Sequence, residues 1–518
     1  MKIVFPYTGA ENMGVGFLSA VLRRHGYETQ LAFEPSLFDD TKFLHIPAIP
    51  KLFNYNQRFA DYLISLKPDV LAFSVFTMNY AWALEIAAKV KEKMDVVTVF
   101  GGVHVQALPE RVLIHPQVDF IILGEGEYPL LELVQSLERD GAVDRSILNL
   151  GYVKDGVNVI NPVRPLEEDL DTLPYCDREI FEHCEDYGDS ILYMCGRGCG
   201  FHCTFCANQS KRSVFPNKKK WLRMQSVDRS LEELRHLRDT YHPKSFLIID
   251  DVFVLNKKWM REFCERYPAE VGVPFQVTGY PSVLREEDIR ILKQAGCFYL
   301  QVGIQSLNPD NRRKILKRFE TNEQLADCIK WCRNEGMGIS VDYIFFPWEA
   351  NEEDQLAAAR FFLEHTPTRL ANFYLTYLPG TEIIHYALEH GYLEESGLRD
   401  IEMGVNAHYH AGGEFQSQKE TMKLLNNFYV FFILIIMFPK SVGQFLFRIR
   451  AYRYARFLPK ILILVFKEII LPLFSRDSIE TPNFKKYVKY YWLHLPTALF
   501  GIYKGKSGLP HDRSSRGT

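Results

Sequence analysis

The sequence predicts an α/β protein built on two successive sheets. A doubly wound parallel sheet comes first, then a partial (β/α)6 barrel, then a mainly helical C-terminal region. Three observations carry this. Residues 1–140 alternate β-rich runs with segments whose apolar residues recur at helical spacing. A second alternation, with six β-rich runs, occupies residues 189–400. Beyond 400 the alternation stops, and long apolar runs and an arginine–aromatic stretch replace it. A chain of 518 residues has room for two or three domains with separate cores.

In the first series the β-rich runs are "KIVFPY", "DVLAFSVF", "VVTVFGG" and "DFIILGEG", separated by the helical patterns "GFLSAVLRRHG" and "YAWALEIAAKVKEKM". Small residues follow the runs, among them Gly14, Ser74, Gly101, Gly102 and Gly124. In doubly wound sheets ligands sit at the carboxyl ends of the strands, so these turns form the candidate site. Residues 141–188 are rich in Pro, Asp and Glu, and read as a hairpin followed by an extended linker. The second series runs from "SILYM" through "SFLIIDD", "PFQVTGY", "FYLQVGIQS" and "GISVDYIFF" to "ANFYLTYLPGT". In residues 401–518, "FYVFFILIIMF" is too short to span a bilayer. Arg448, Arg450, Arg453 and Arg456 interleave with aromatic and apolar residues, and the tail "GLPHDRSSRGT" reads as disordered.

Apolar content of 47% and 24% charged residues describe an ordinary folded protein, and a net charge of −3 gives no reason to expect a nucleic-acid partner. The start, "MKIVFPYTGA", reads as a strand rather than a signal peptide, which implies a cytoplasmic setting and reduced thiols. Six of the ten cysteines are scattered and read as buried packing residues. The other four crowd into "CGRGCGFHCTFC", residues 195–206. Cys199, Cys203 and Cys206 follow a C-x3-C-x2-C rhythm. Three thiolates on one loop can hold three irons of a cubane and leave the fourth iron open. A closed site with Cys195 as fourth ligand is the alternative.

The stretch "RGCGFHCTFC" at the end of a first barrel strand resembles the signature of the radical S-adenosylmethionine (SAM) enzymes. The resemblance implies that Cys199, Cys203 and Cys206 ligate a [4Fe-4S] cluster whose open iron chelates SAM, with Phe205 against the adenine. An electron from an external donor of the flavodoxin or ferredoxin type then splits SAM into methionine and a 5′-deoxyadenosyl radical. "IIDDVF" and "VGIQS" are similar to strand ends that face SAM in that family, which implicates Asp250, Asp251, Gly303, Gln305 and Ser306. The Asp pair also suits a helix cap.

The first series, with "LAFSVFTMNY", "VFGGVHVQALPE" and "DFIILGEGE", is similar to the cobalamin-binding domain that precedes the barrel in one branch of these enzymes. By that resemblance Gly14, Ser74, Thr77, Gly101, Gly102, Gly124 and Glu125 wall the corrin and its tail, with small residues where backbone approaches ligand. The D-x-H-x-x-G motif of better-known cobalamin modules is missing from "PYTGAENMGVG", and His104 is the nearest alternative cobalt ligand. The G-x-G-x-x-G of dinucleotide binders is absent after the first strand.

The resemblance implies an enzyme that methylates an unreactive carbon or phosphorus of a small molecule. The alternatives are an oxidative cyclase or rearrangement enzyme and, from another class, a non-catalytic cobalamin sensor. A tRNA methylthiotransferase is disfavoured by the missing extra cysteines and the lack of a basic module after the barrel. Two features bear on the substrate. "FFPWE" places Phe345 and Trp348 where the family usually has glycines, an aromatic barrel mouth suited to an apolar substrate unless the rings merely pack a loop. The arginine–aromatic tail suits either a membrane surface or a helical cap. Together they point toward a lipid-like substrate.

Overall fold

The structure is a computed structural model that describes residues 1–9, 11–35, 37, 55–405, 419–457, 480–501 and 503. The first sheet comprises β1 (Lys2–Thr8), β2 (Glu28–Glu34), β3 (Val70–Ser74), β4 (Val97–Gly101), β5 (Phe120–Ile122), β6 (Leu150–Lys154) and β7 (Val157–Ile160). Its order is β2-β1-β3-β4-β5-β6-β7. The first five strands are parallel, and the expected hairpin β6–β7 adds antiparallel at one edge, so the sheet reaches Ile160. The strand order reverses between β1 and β3. In open parallel sheets that switch point opens a crevice at the carboxyl ends.

The first helix, Met13–Arg24, shows why the crevice is well formed. The Asn12 side chain accepts from the backbone N–H groups of Gly14 and Val15 and so caps the helix. The same side chain donates to Ser74 Oγ at 3.0 Å, tying the loop after β1 to the end of β3. Val15, Val21 and Leu22 pack the helix onto the sheet.

In the second half the six barrel strands are β8 (Ser190–Tyr193), β11 (Ser245–Ile248), β12 (Phe275–Gly279), β13 (Cys297–Gln305), β14 (Gly338–Phe345) and β15 (Arg369–Tyr374). The short pair β9 (Gly196–Arg197) and β10 (Arg223–Met224) is antiparallel and stands at the barrel mouth. The six-stranded order β15-β14-β13-β12-β11-β8 is parallel throughout. This is the partial barrel that the sequence predicts, a curled half-barrel that leaves one side open.

The helix Lys419–Met437 closes the outer face of the last strands. Phe428, Phe431, Phe432 and Ile435 are buried, and Phe432 stacks on Phe345 at 5.6 Å. The apolar run read from the sequence is therefore the second half of a longer helix that begins in "KETMKLLNN". Its residues Glu420–Met437 are long and apolar enough to cross a membrane, yet nearly half of them are buried against the protein. Phe345 points outward into this helix and Trp348 packs with Phe346, Tyr386 and Tyr392. Neither ring crowds the barrel mouth, so the expected aromatic mouth is replaced by loop and helix packing. The tail from 504 lies outside the described residues.

Candidate active site

The carboxyl ends of the two sheets face each other across a cavity of about 430 Å³. From the first domain it is lined by Gly14, Phe17, Ser74, Gly101, Gly102, Gly124 and Glu125. The barrel contributes Met194, Arg197, Gly198, Lys211, Arg223, Ile249 and Asp251. Six of the seven residues expected to wall the corrin thus meet in one place. At Gly102 the backbone takes φ +103°, and a Cβ would lie 2.6 Å from the Val75 carbonyl oxygen. Glycine is required there to bring the β4 turn against β3.

Thr77 and His104 are not among the cavity-lining residues. They pair with each other, His104 Nδ1 to Thr77 Oγ1 at 3.2 Å, and the imidazole lies on the Tyr80 ring at 4.1 Å. His104 is 1% exposed, its Nε2 has no partner, and burial pushes its pKa down to about 4. It is a neutral core histidine rather than a group presented to the cavity.

The cysteine loop leaves β9 through Gly198, whose φ is +90° and whose absent Cβ would fall 2.3 Å from the Trp221 carbonyl oxygen. The loop is pinned at its centre. Thr204 Oγ1 donates to the Ile315 carbonyl at 2.7 Å, and the Thr204 N–H donates to Leu316 at 3.2 Å. Gln209 donates to the carbonyls of His202 and Cys203. Cys203 is buried, whereas Cys199 and Cys206 are partly exposed. Burial pushes the Cys199 thiol up to about 12 and raises those of Cys203 and Cys206. A bound metal reverses that balance, because a coordinating thiol is deprotonated outright.

Among the described residues no three His, Cys, Asp or Glu side chains gather tightly enough to share one metal ion. A cubane asks for something else, one thiolate on each of three separate irons. The donor set fits that need: three thiols on one fixed loop, two of them partly exposed. Cys195 does not join them. It is fully buried beside Tyr193 and Tyr267 in the barrel core.

The residues expected to face SAM divide into two groups. Asp251 is exposed and lines the cavity. Asp250 is buried, and its carboxylate accepts the Cys195 N–H at 2.9 Å while burial pushes its pKa up to about 7. It braces the start of the loop. At the end of β13 the pairing with β14 shifts register between Gly303 and Gln305. Gln305 sits there at φ +67°, with its side-chain oxygen buried and unpartnered, so a polar group of a ligand would satisfy it. Ser306 is fully buried and donates to Glu349 at 2.5 Å, away from any opening. Phe205 is half-buried against the main core.

Sequence reading missed a buried ion cluster at the domain junction. Arg197 donates to Glu125 at 2.9 Å and to Glu127 at 2.6 Å, and Arg223 donates to Glu125 at 2.8 Å and to the Glu167 carbonyl. Burial alone would raise the Glu125 carboxyl, but the two guanidiniums outweigh it and hold the group below the usual carboxylate range. Glu125 is therefore engaged by the barrel domain. The only signal in the sequence was that Arg197 stands inside the cysteine motif and Arg223 inside "WLRM".

Comparison with known proteins agrees with this geometry. Residues 193–362 match the radical SAM superfamily, and residues 7–134 match the B12 binding domain. An uncharacterized methyltransferase from Pyrococcus horikoshii is 28% identical over 74% of this chain and 79% of its own length. A cytidylyl-2-hydroxyethylphosphonate methyltransferase from Streptomyces wedmorensis is 23% identical over 74% and 78%. An anaerobic magnesium-protoporphyrin IX monomethyl ester cyclase from Rubrivivax gelatinosus is 25% identical over 64% and 58%. Among solved structures, the cobalamin-dependent SAM radical enzyme OxsB superposes with a TM-score of 0.61 at 16% identity, covering 96% of this chain and 79% of that one. The chain is a radical SAM enzyme with an N-terminal B12-binding domain. Its cofactors are those of these two domains: an iron–sulfur cluster with SAM, and cobalamin.

Proposed function

We propose that the protein is a methyltransferase that uses both cofactors on an unactivated carbon or phosphorus of a small molecule. The observation that carries this is one cavity, walled on one side by the strand ends of the B12-binding domain and on the other by Arg197 and Gly198 at the entry of the cysteine loop and by Ile249 and Asp251 just after β11. When bound, the cluster and SAM supply a substrate radical and the corrin supplies a methyl group. The chain's own residues hold these partners face to face. Gly14, Ser74, Gly101, Gly102 and Gly124 keep the first wall free of bulk, the three cysteines fix the cluster, and Asp251 and Gln305 offer polar contacts to SAM. Cys176, Cys184, Cys264, Cys297, Cys328 and Cys332 are each buried, and offer no second cluster. The reducing electron then comes from an external donor of the flavodoxin or ferredoxin type.

Oxidative ring closure is the second reading, favoured by the likeness to the cyclase. SAM carrying a deuterated methyl group separates the two. Methyl transfer consumes two SAM per turnover, and yields 5′-deoxyadenosine, S-adenosylhomocysteine and a product heavier by one labelled methyl. Product formed at full rate without label, and without S-adenosylhomocysteine above background, would establish the cyclase reading instead.

The C-terminal region supports contact with a membrane surface. In Lys440–Arg448 the inner face, Gly443 and Leu446, packs against the protein. The outer face is apolar as well: Val442 and Phe445, with Ile449 at the C-cap, form a stripe at helical spacing, with Phe445 58% and Ile449 51% exposed. Exposed Lys440, Arg448, Arg450 and Arg453 border it, while the Arg456 side chain lies outside the described residues. An apolar stripe with a basic border suits an anionic lipid surface, and a lipid-like substrate would be drawn from there. The full chain is expected to sediment with phosphatidylglycerol vesicles and to release as salt rises, because this attraction is screened within about 10 Å at 0.1 M. The variant Phe445→Glu/Ile449→Glu should stay in solution. Equal sedimentation of the two proteins would return this face to the role of a barrel cap.

A further inference from the structure

The segment after β13 places one arginine directly behind the cysteine loop. Arg318 is 5% exposed, and its guanidinium makes three contacts in three directions. Nη1 donates to Cys203 Sγ at 3.6 Å, Nη2 to the Gly303 carbonyl at 2.6 Å, and Nε to Glu320 at 2.5 Å. The group also lies over the Tyr280 ring, 4.3 Å from its centroid, and that ring stacks on Phe201 of the cysteine loop at 3.7 Å. The backbone of Arg318 is held in turn, its N–H donating to the Arg312 carbonyl at 3.0 Å. Only a planar fork with five donors can serve a sulfur, a carbonyl and a carboxylate at once, so lysine would not replace it.

We propose that Arg318 is a positioning residue for the iron–sulfur cluster, which fixes the Cys203 sulfur and sets the ease with which the cluster accepts its electron. The inference rests on the reading that Cys203 ligates the cluster. A hydrogen bond from a cation to a ligating sulfur draws electron density from it and stabilises the reduced, more negative state of the cluster. Glu320, with its side chain fully buried against the same guanidinium, offsets part of that charge. The two residues therefore act with opposite sign. Through the Gly303 carbonyl the same guanidinium fixes the β13 bulge that carries Gln305, so the cluster ligand and that strand end share one anchor.

The test is a potentiometric titration of the reconstituted protein, followed by electron paramagnetic resonance of the reduced cluster, with iron content measured on the same samples. Arg318→Met is expected to make the cluster harder to reduce, with the reduced-to-oxidised ratio at fixed potential falling about tenfold. Arg318→Lys should fall between Arg318→Met and the unchanged protein, and Glu320→Gln should shift the ratio the other way. All variants should keep about four irons, the content of a cubane. If Arg318→Met fails to fold, the upward shift in Glu320→Gln still decides. Clusters present at full iron content with unmoved potentials, or both variants shifting the same way, would overturn the assignment of Arg318. An unchanged protein that binds no iron would instead overturn the cluster reading on which it rests.

Discussion

Alanine at Cys199, Cys203 or Cys206 is expected to abolish the iron–sulfur cluster, while Cys195→Ala retains about four irons per chain, the content of a cubane. The contrast follows from burial. The three loop cysteines lie on one loop, with Cys199 and Cys206 partly exposed. Cys195 is fully buried, and its N–H is held by Asp250 at 2.9 Å, so it cannot turn toward the loop without unmaking the barrel core. Its replacement should cost about 1 kcal/mol of stability from the small void left behind, with no change in the cluster's spectrum. Iron and sulfide analysis after anaerobic reconstitution checks both halves. Cluster loss in Cys195→Ala would return the site to a closed, four-cysteine type.

Removing the Glu125 carboxylate is expected to weaken the junction between the two domains. Glu125→Leu leaves Arg223 buried without its carboxylate and leaves Arg197 with Glu127 alone. Breaking a buried pair from one side costs about 3–5 kcal/mol, because the remaining charge is uncompensated. Thermal or denaturant unfolding should show this loss, with limited proteolysis appearing between the domains. The double variant Glu125→Leu/Arg223→Met should recover part of it, since replacing both partners removes the orphaned charge. The same pair predicts a pH dependence. The folded carboxyl is held below its unfolded value, so its stabilisation is present above the unfolded pKa and is lost as pH falls through the folded one. The unchanged protein should therefore lose stability in acid by more than Glu125→Leu does. Parallel acid profiles would show that the pair contributes nothing to domain docking.

Much of this was legible from local pattern. The six barrel strands are β-rich runs in which fully buried residues largely alternate with half-buried ones, the period-two pattern of a sheet with one face packed and the other turned to the barrel interior. The three cysteines sit on one loop, and the resemblance of "RGCGFHCTFC" to the radical SAM signature carried the cluster reading, which their spacing by itself left open to a closed site. What was not legible depends on which way a side chain turns and on partners far along the chain. Phe345 ends β14 on the outer face, where a helix beginning at Lys419 covers it, and no window of sequence around "FFPWE" contains that helix. Asp250 and Asp251 are neighbours, yet one braces the loop and the other lines the cavity, because adjacent residues at a strand end point to opposite faces. His104 follows a strand as a ligand would, but Tyr80 and Thr77 cover it. The pairs Arg197–Glu125 and Arg318–Cys203 join residues 72 and 115 positions apart in the chain through folding alone, and periodicity carries no trace of them.

The central claim is that one cavity between two sets of strand ends serves a corrin on one wall and a cluster on the other. Anaerobic reconstitution with iron, sulfide and cobalamin, followed by gel filtration, tests it directly. The protein fraction should carry about four irons and four sulfides, the content of a cubane, together with about one cobalt, as a single strand-end site requires. Iron in the protein fraction with all cobalt eluting free would contradict the account.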